Sequence, residues 1–177
     1  MSAAGVRSVT VEEYLSNPEF KHAEFIDGEV VERNLGSKNH SMIAVNAAAA
    51  LNQYRKKLQR GSGHAGLHCK LAIRERLRYR IPDICYVLRD FDGPYLDGAP
   101  EFCIEIQSPE DLIREALNKF DDYFANGCRL GWIVLPEEQS VLILRPSQSP
   151  HAVGVGEMID GGDLLPGLSV AVADLFA

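Results

Sequence analysis

The sequence is poor in several features that would each have fixed a function class. No run of about 18 apolar residues occurs to form a membrane-spanning helix, and the first ten residues, MSAAGVRSVT, lack the apolar stretch of a signal peptide. A cytoplasmic protein is therefore expected. Basic charge is also in short supply: 18 Lys+Arg stand against 25 Asp+Glu, a net charge of −7. A phosphate-rich partner meets a molecule that repels it on average, which argues against tight, non-specific nucleic-acid binding. Paired cysteines are missing too. Cys69, Cys85, Cys103 and Cys128 each stand alone within or beside an apolar segment, with no C-x-x-C to form a zinc knuckle or redox dithiol. They read as buried thiols. His64 and His68 share an i,i+4 spacing, but nothing near them supplies the further ligands that zinc needs. There is no internal repeat and no low-complexity linker. With 46% hydrophobic residues over 177 positions, the chain carries material for one core, and residues 1–177 read as a single domain.

Local signals divide the chain clearly in places. Thr10 and Glu13 form a capping box for a helix from Val11 to about Ser16, which Pro18 stops. Ala23–Ile26 and Glu29–Glu32 read as a hairpin joined by Asp27-Gly28, the pair a type I′ turn favours. From about His40 to Leu58 the sequence is helical and ends in a basic turn that suits the helix dipole. Strands are expected at His68–Ile73, at Tyr79–Leu88 and at Glu101–Gln107, with a charged turn at Arg74–Leu77. Ser108 and Pro109 then supply an N-cap and first position for a helix whose apolar residues Leu112, Ile113, Ala116, Leu117, Phe120, Tyr123 and Phe124 recur at helical spacing up to Gly127. Strands Leu130–Leu135 and Val141–Leu144 follow. The expectation is an α/β (α+β) domain with helices packed on a central mixed sheet.

Two acids interrupt this apolar pattern. Strand alternation puts Asp83 on a face with Ile81, Cys85 and Val87, and Glu105 on a face with Cys103 and Gln107. An unpaired carboxylate on a covered face costs several kcal/mol, so it protonates, pairs with a base or holds a cation. Two carboxylates on neighbouring strands make a divalent ion an economical partner, and their oxygens suit Mg²⁺ or Mn²⁺. The competing reading satisfies each acid by backbone amides or by one of Arg74, Arg76, Arg78 and Arg80 just upstream. Lys119 flanks the apolar face of the following helix, close enough to lean over the sheet, or else to pair with Glu115 at i,i+4.

Pro82-Asp83, the 22-residue step to Glu105 and the strand ending Glu-Ile-Gln-Ser-Pro resemble the PD-(D/E)xK nuclease core. VTVEEYLSNP, the AEFIDGEVVE hairpin, His40 after a Ser-containing turn, KFDDYFANG followed by GWIV, and the ending GGDLLPGLSVAVADLF are similar to one branch of it, the Uma-type family of bacterial restriction endonucleases. The resemblance runs in order along nearly the whole chain. It implies a restriction endonuclease-like fold and a metal ion, Mg²⁺ or Mn²⁺, held by Asp83, Glu105 and the Ile106 carbonyl. Glu24 would be an extra acid near the site and His40 a further secondary candidate. The superfamily's third catalytic position normally carries lysine, and here it is Gln107, an amide that orients water or phosphate but carries no charge. The resemblance assigns that charge to Lys119.

The implied activity is metal-assisted hydrolysis of DNA phosphodiester bonds by a homodimer. Basic residues Arg55, Lys56, Lys57 and Arg60, with Arg78 before the site, are the candidate DNA contacts. Gln107 and the acidic balance also admit a second reading, a catalytically inactive nuclease fold that binds nucleic acid or protein.

Overall fold

The computed structural model describes residues 8–33 and 36–177; most of the ten-residue opening segment lies outside them. The first helix, α1 (Val11–Ser16), starts on the anticipated capping box: the Thr10 hydroxyl accepts from the Glu13 amide at 3.1 Å, and the Glu13 carboxylate accepts from the Thr10 amide at 2.9 Å. The hairpin of β1 (Ala23–Ile26) and β2 (Glu29–Glu32) also matches. Asp27 and Gly28 take φ of 52° and 95°, the positive pair that a type I′ turn needs. Helix α2 (Lys38–Leu58) begins two residues before His40, because the Ser37 hydroxyl caps it by accepting the His40 amide at 3.1 Å.

Two large sheets follow. In β4 (Cys69–Ile73), β5 (Arg76–Arg80) and the short β7 (Leu96–Asp97) the chain builds a five-stranded sheet ordered β2-β1-β5-β4-β7. The second sheet contains β3 (Ser62–Ala65), β6 (Ile84–Val87), β8 (Phe102–Ile106), β9 (Leu130–Leu135), β10 (Ser140–Leu144) and β11 (His151–Gly154), ordered β11-β10-β9-β8-β6-β3. Strands β8 and β9 are parallel, linked by α3 (Ile113–Ala125), and the other neighbours in this sheet are antiparallel. A ribbon of β12 (Met158–Gly161) and β13 (Leu165–Ala171) and the short α4 (Val172–Leu175) close the chain.

The expected single strand Tyr79–Leu88 is two strands in two different sheets. Ile81-Pro82-Asp83 carries the chain from one to the other, and Pro82, which has no N–H to give a ladder, sits in that crossing. Asp83 is thus a linker residue, and the strand alternation assigned to it does not apply. The start of α3 is also corrected. Ser108–Asp111 form a turn closed by the Asp111 amide on the Ser108 carbonyl at 3.0 Å, and the helix starts at Ile113 with no side-chain cap. The charged turn is shorter than expected, because Arg76 and Leu77 already pair with Ile73 and Ala72.

Alternation along the second sheet splits the core. Ile84, Tyr86, Phe102, Ile104, Ile106, Trp132 and Val134 pack on the α2 face with Ile43, Ala47, Leu51 and Tyr54. Cys85, Val87, Cys103 and Ile133 pack on the other face with Phe120 and Tyr123 of α3. All four cysteines are buried free thiols in this second cluster. Glu105, two residues on from Cys103, falls on the α3 face as anticipated.

Candidate active site

Five elements deliver side chains to one cleft of about 360 Å³: the β1–β2 hairpin, the first turn of α2, the β5–β6 crossing, the end of β8 and α3. Carboxylates from Glu24, Glu32, Asp83, Glu105, Asp111 and Glu115 line it, against the cations Arg33, Arg80 and Lys119. The acids outnumber the fixed cations two to one, so the cleft attracts further positive charge.

Glu105 is buried, its side chain 5% exposed. One oxygen accepts from the Tyr123 hydroxyl at 2.8 Å and the other from Lys119 Nζ at 2.9 Å. Lys119 and Tyr123 are four residues apart on α3, so one helix face presents both to the carboxylate. Burial drives the Glu105 carboxyl up to about 7, even though the Lys119 charge opposes the rise. Burial also disfavours the Lys119 ammonium, but Glu105 and Glu24 more than offset that and hold its pKa above the ordinary lysine value. Glu24 lies 3.9 Å from Lys119 and is itself fixed by Arg80 Nη1 and the Ile81 amide, each at 2.9 Å. Arg80 in turn reaches Asp122 at 2.8 Å, and Asp122 is shared with Arg78.

Asp83 is held where β6 begins and β8 ends. Its Oδ2 accepts from the Ile106 amide at 2.9 Å and lies 3.2 Å from His40 Nε2, while Arg33 donates to Oδ1. Burial pushes the Asp83 carboxyl up, but His40 and the Ile106 amide outweigh it and the pKa is lowered. The same hydrogen bond to Asp83 raises the pKa of His40 against the effect of its burial.

Asp83, Glu105, Ile106, Lys119, Glu24 and His40 thus all line this one cleft. Gln107 lines the cleft, but its amide nitrogen donates to the Asp111 carbonyl at 2.9 Å. Arg78 is engaged by Asp27 and Asp122. Arg55, Lys56 and Lys57 stand in the last turn of α2, and the sixteen-residue step from His40 to Lys56 puts them about 24 Å along the helix. Arg33 and Tyr123 escaped the sequence reading. The four-residue spacing from Lys119 pointed to Tyr123, whereas nothing in the sequence placed Arg33, which arrives from the far end of the hairpin.

Among the described residues no three His, Cys, Asp or Glu side chains converge closely enough to encage an ion. The donors nevertheless fit a hard divalent cation that retains most of its waters. They are carboxylate and carbonyl oxygens, and positive groups already stand against both key carboxylates, Arg33 on Asp83 and Lys119 on Glu105.

A restriction endonuclease-like core, a mixed sheet flanked by helices, is the class that the fold defines. The family model described as "Putative restriction endonuclease", Uma2, matches residues 11–173. The chain belongs to that family. Its fold is similar to a crystal structure from Anabaena variabilis ATCC 29413 described as "a putative nuclease belonging to DUF820", with a TM-score of 0.83 and 22% identity over 95% of this chain and 97% of that one. No curated protein matches the chain. No described helix is long and apolar enough to cross a membrane.

Proposed function

We propose that the chain is a divalent-metal-dependent endonuclease that hydrolyses DNA phosphodiester bonds. The observation that carries the reading is the convergence of Asp83, from the β5–β6 crossing, and Glu105, from β8, on one acidic cleft with Lys119 beside them. Asp83, Glu105 and the Ile106 carbonyl are the ligands for Mg²⁺ or Mn²⁺, which when bound polarises the phosphate and lowers the pKa of a bound water. The protein's own part is electrostatic positioning. The Ile106 amide and His40 fix the Asp83 carboxylate, and Tyr123 fixes that of Glu105. Lys119 neutralises charge that develops on the phosphate oxygens, the task that Gln107 has no charge to perform. Glu24 keeps the ammonium near the cleft floor. Arg55, Lys56 and Lys57 contact the DNA backbone away from the site of cleavage. Cutting both strands of a duplex in one encounter uses two such sites, which pairing of two copies would bring together.

The test is nicking of supercoiled plasmid with Mg²⁺ or Mn²⁺ by the wild type and by Asp83→Ala and Glu105→Ala. Metal-dependent nicking that both substitutions abolish is expected, and activity surviving both removes the proposed site. Gln107, turned onto the Asp111 carbonyl, motivates the second reading of an inactive nuclease fold that binds nucleic acid or protein. DNA binding without cleavage under any metal favours that one.

A further inference from the structure

Arg33 is the cation in the cleft with the most freedom to leave its partner. Arg80 is clamped from two sides by Glu24 and Asp122, its side chain 9% exposed. Lys119 lies between Glu105 and Glu24. Arg33 is 28% exposed and stands one residue beyond Glu32, the last residue of β2 paired in the hairpin. Among the described residues no ladder pairing ties it, so it can move without breaking one.

Its position has a chemical consequence. Oδ2 of Asp83 is occupied by the Ile106 amide and His40, so the guanidinium on Oδ1 covers the more accessible side of the carboxylate. A divalent ion bound to that same oxygen would stand against the guanidinium at close range, where like charges repel strongly. The two compete for Oδ1, and the repulsion favours the arginine leaving. The group displaced is a planar fork of donors, which matches the paired oxygens of a phosphate as it does those of a carboxylate.

We propose that Arg33 is a movable counter-ion: it neutralises Asp83 while no metal is bound, yields that oxygen to the incoming divalent cation, and then binds the non-bridging oxygens of the substrate phosphate. The inference rests on the metal-dependent nuclease reading above and adds a residue and an order of events to it. It makes metal binding and phosphate binding reinforce each other, because the metal frees the arginine that the phosphate needs. It also confers a metal affinity in the free protein lower than the ligands alone would give. If the guanidinium occupies Asp83 in about nine molecules of ten, the apparent affinity is reduced about tenfold.

The experiment is calorimetric titration of Mn²⁺ into the full chain without nucleic acid, comparing wild type, Arg33→Met, Arg33→Lys and Asp83→Asn. Arg33→Met is expected to bind Mn²⁺ about tenfold more tightly than wild type, Arg33→Lys to remain within about threefold of wild type, and Asp83→Asn to lose binding. Arg33→Met binding with unchanged or weaker affinity, while Asp83→Asn still abolishes it, overturns the inference and leaves the nuclease reading intact. Absence of Mn²⁺ binding in every form removes both. Should Arg33→Met not fold, the wild type labelled with ¹⁵N at arginine provides the readout. The Arg33 Nε–H resonance shifts on addition of Mg²⁺ while that of Arg80 stays, and an Arg33 resonance unmoved at saturation refutes the proposal.

Discussion

Lys119→Met keeps most of the side chain's volume and removes its charge, and its cost should depend on pH in a direction the site fixes. Nζ lies 2.9 Å from a Glu105 carboxylate that is 5% exposed, and removing one member of such a pair typically costs about 3–5 kcal/mol. Glu105 has an escape, since it can take up a proton. Burial has already raised its carboxyl from 4.5 to about 7 with Lys119 in place. A folded pKa above the unfolded one stabilises the fold fully below pH 4.5, and that contribution is lost as pH rises through 7. Without Lys119 the carboxyl rises further, and each added unit deepens the loss above pH 7 by about 1.4 kcal/mol. The variant should therefore lose about 2 kcal/mol relative to wild type at pH 8, but about 1 kcal/mol or less at pH 5, where Glu105 is protonated in both; the difference is capped at about 1.4 kcal/mol because pH 8 lies only one unit above the wild-type value of about 7. Urea unfolding with chelator present measures both differences. At pH 8 the melting temperature should fall by roughly 4–8 °C for a chain of this size. A loss equal at the two pH values, or larger at pH 5, would refute the coupling.

Three further outcomes follow from the same geometry. Arg80→Met leaves Glu24 and Asp122 without their shared partner inside the fold and should cost about 3–5 kcal/mol in chemical denaturation, where a loss below about 1 kcal/mol would show that Arg78 and Lys119 suffice to hold both acids. Gly131→Ala places a methyl group in the Phe120 ring where α3 crosses β9, and should destabilise by about 1–3 kcal/mol with the site chemistry unchanged; a neutral effect would mean the helix can lift at no cost. Asp83→Asn should lower the pKa of His40, read by NMR titration of the ring, since the bond to Asp83 is the main cause of its elevation. An unmoved His40 pKa would show that another group sets it.

What was legible in the sequence was local. The Asp27-Gly28 turn fixed the hairpin that carries Glu24, alternation from Cys103 put Glu105 under α3, and helical periodicity set Lys119 beside the apolar stripe that packs there. Illegible features depended on distant neighbours. A run of β-branched and aromatic residues from Tyr79 to Leu88 looks like one strand, and only the existence of two sheets makes Pro82 a crossing point. Ser108-Pro109 carries cap chemistry, yet the Gln107 side chain and the Asp111 amide spend those residues on a turn, so α3 starts later. Arg33 meets Asp83 across fifty positions of sequence, and no spacing rule encodes that meeting.

Anomalous scattering from crystals soaked in Mn²⁺ shows whether Asp83 and Glu105 hold a metal ion. One ion bonded to oxygens of Asp83 and Glu105 at about 2.0–2.2 Å is expected, with Arg33 moved off Asp83. Crystals that show no ion in the cleft at saturating Mn²⁺, with Asp83 still on Arg33 and Glu105 still on Lys119, would contradict it.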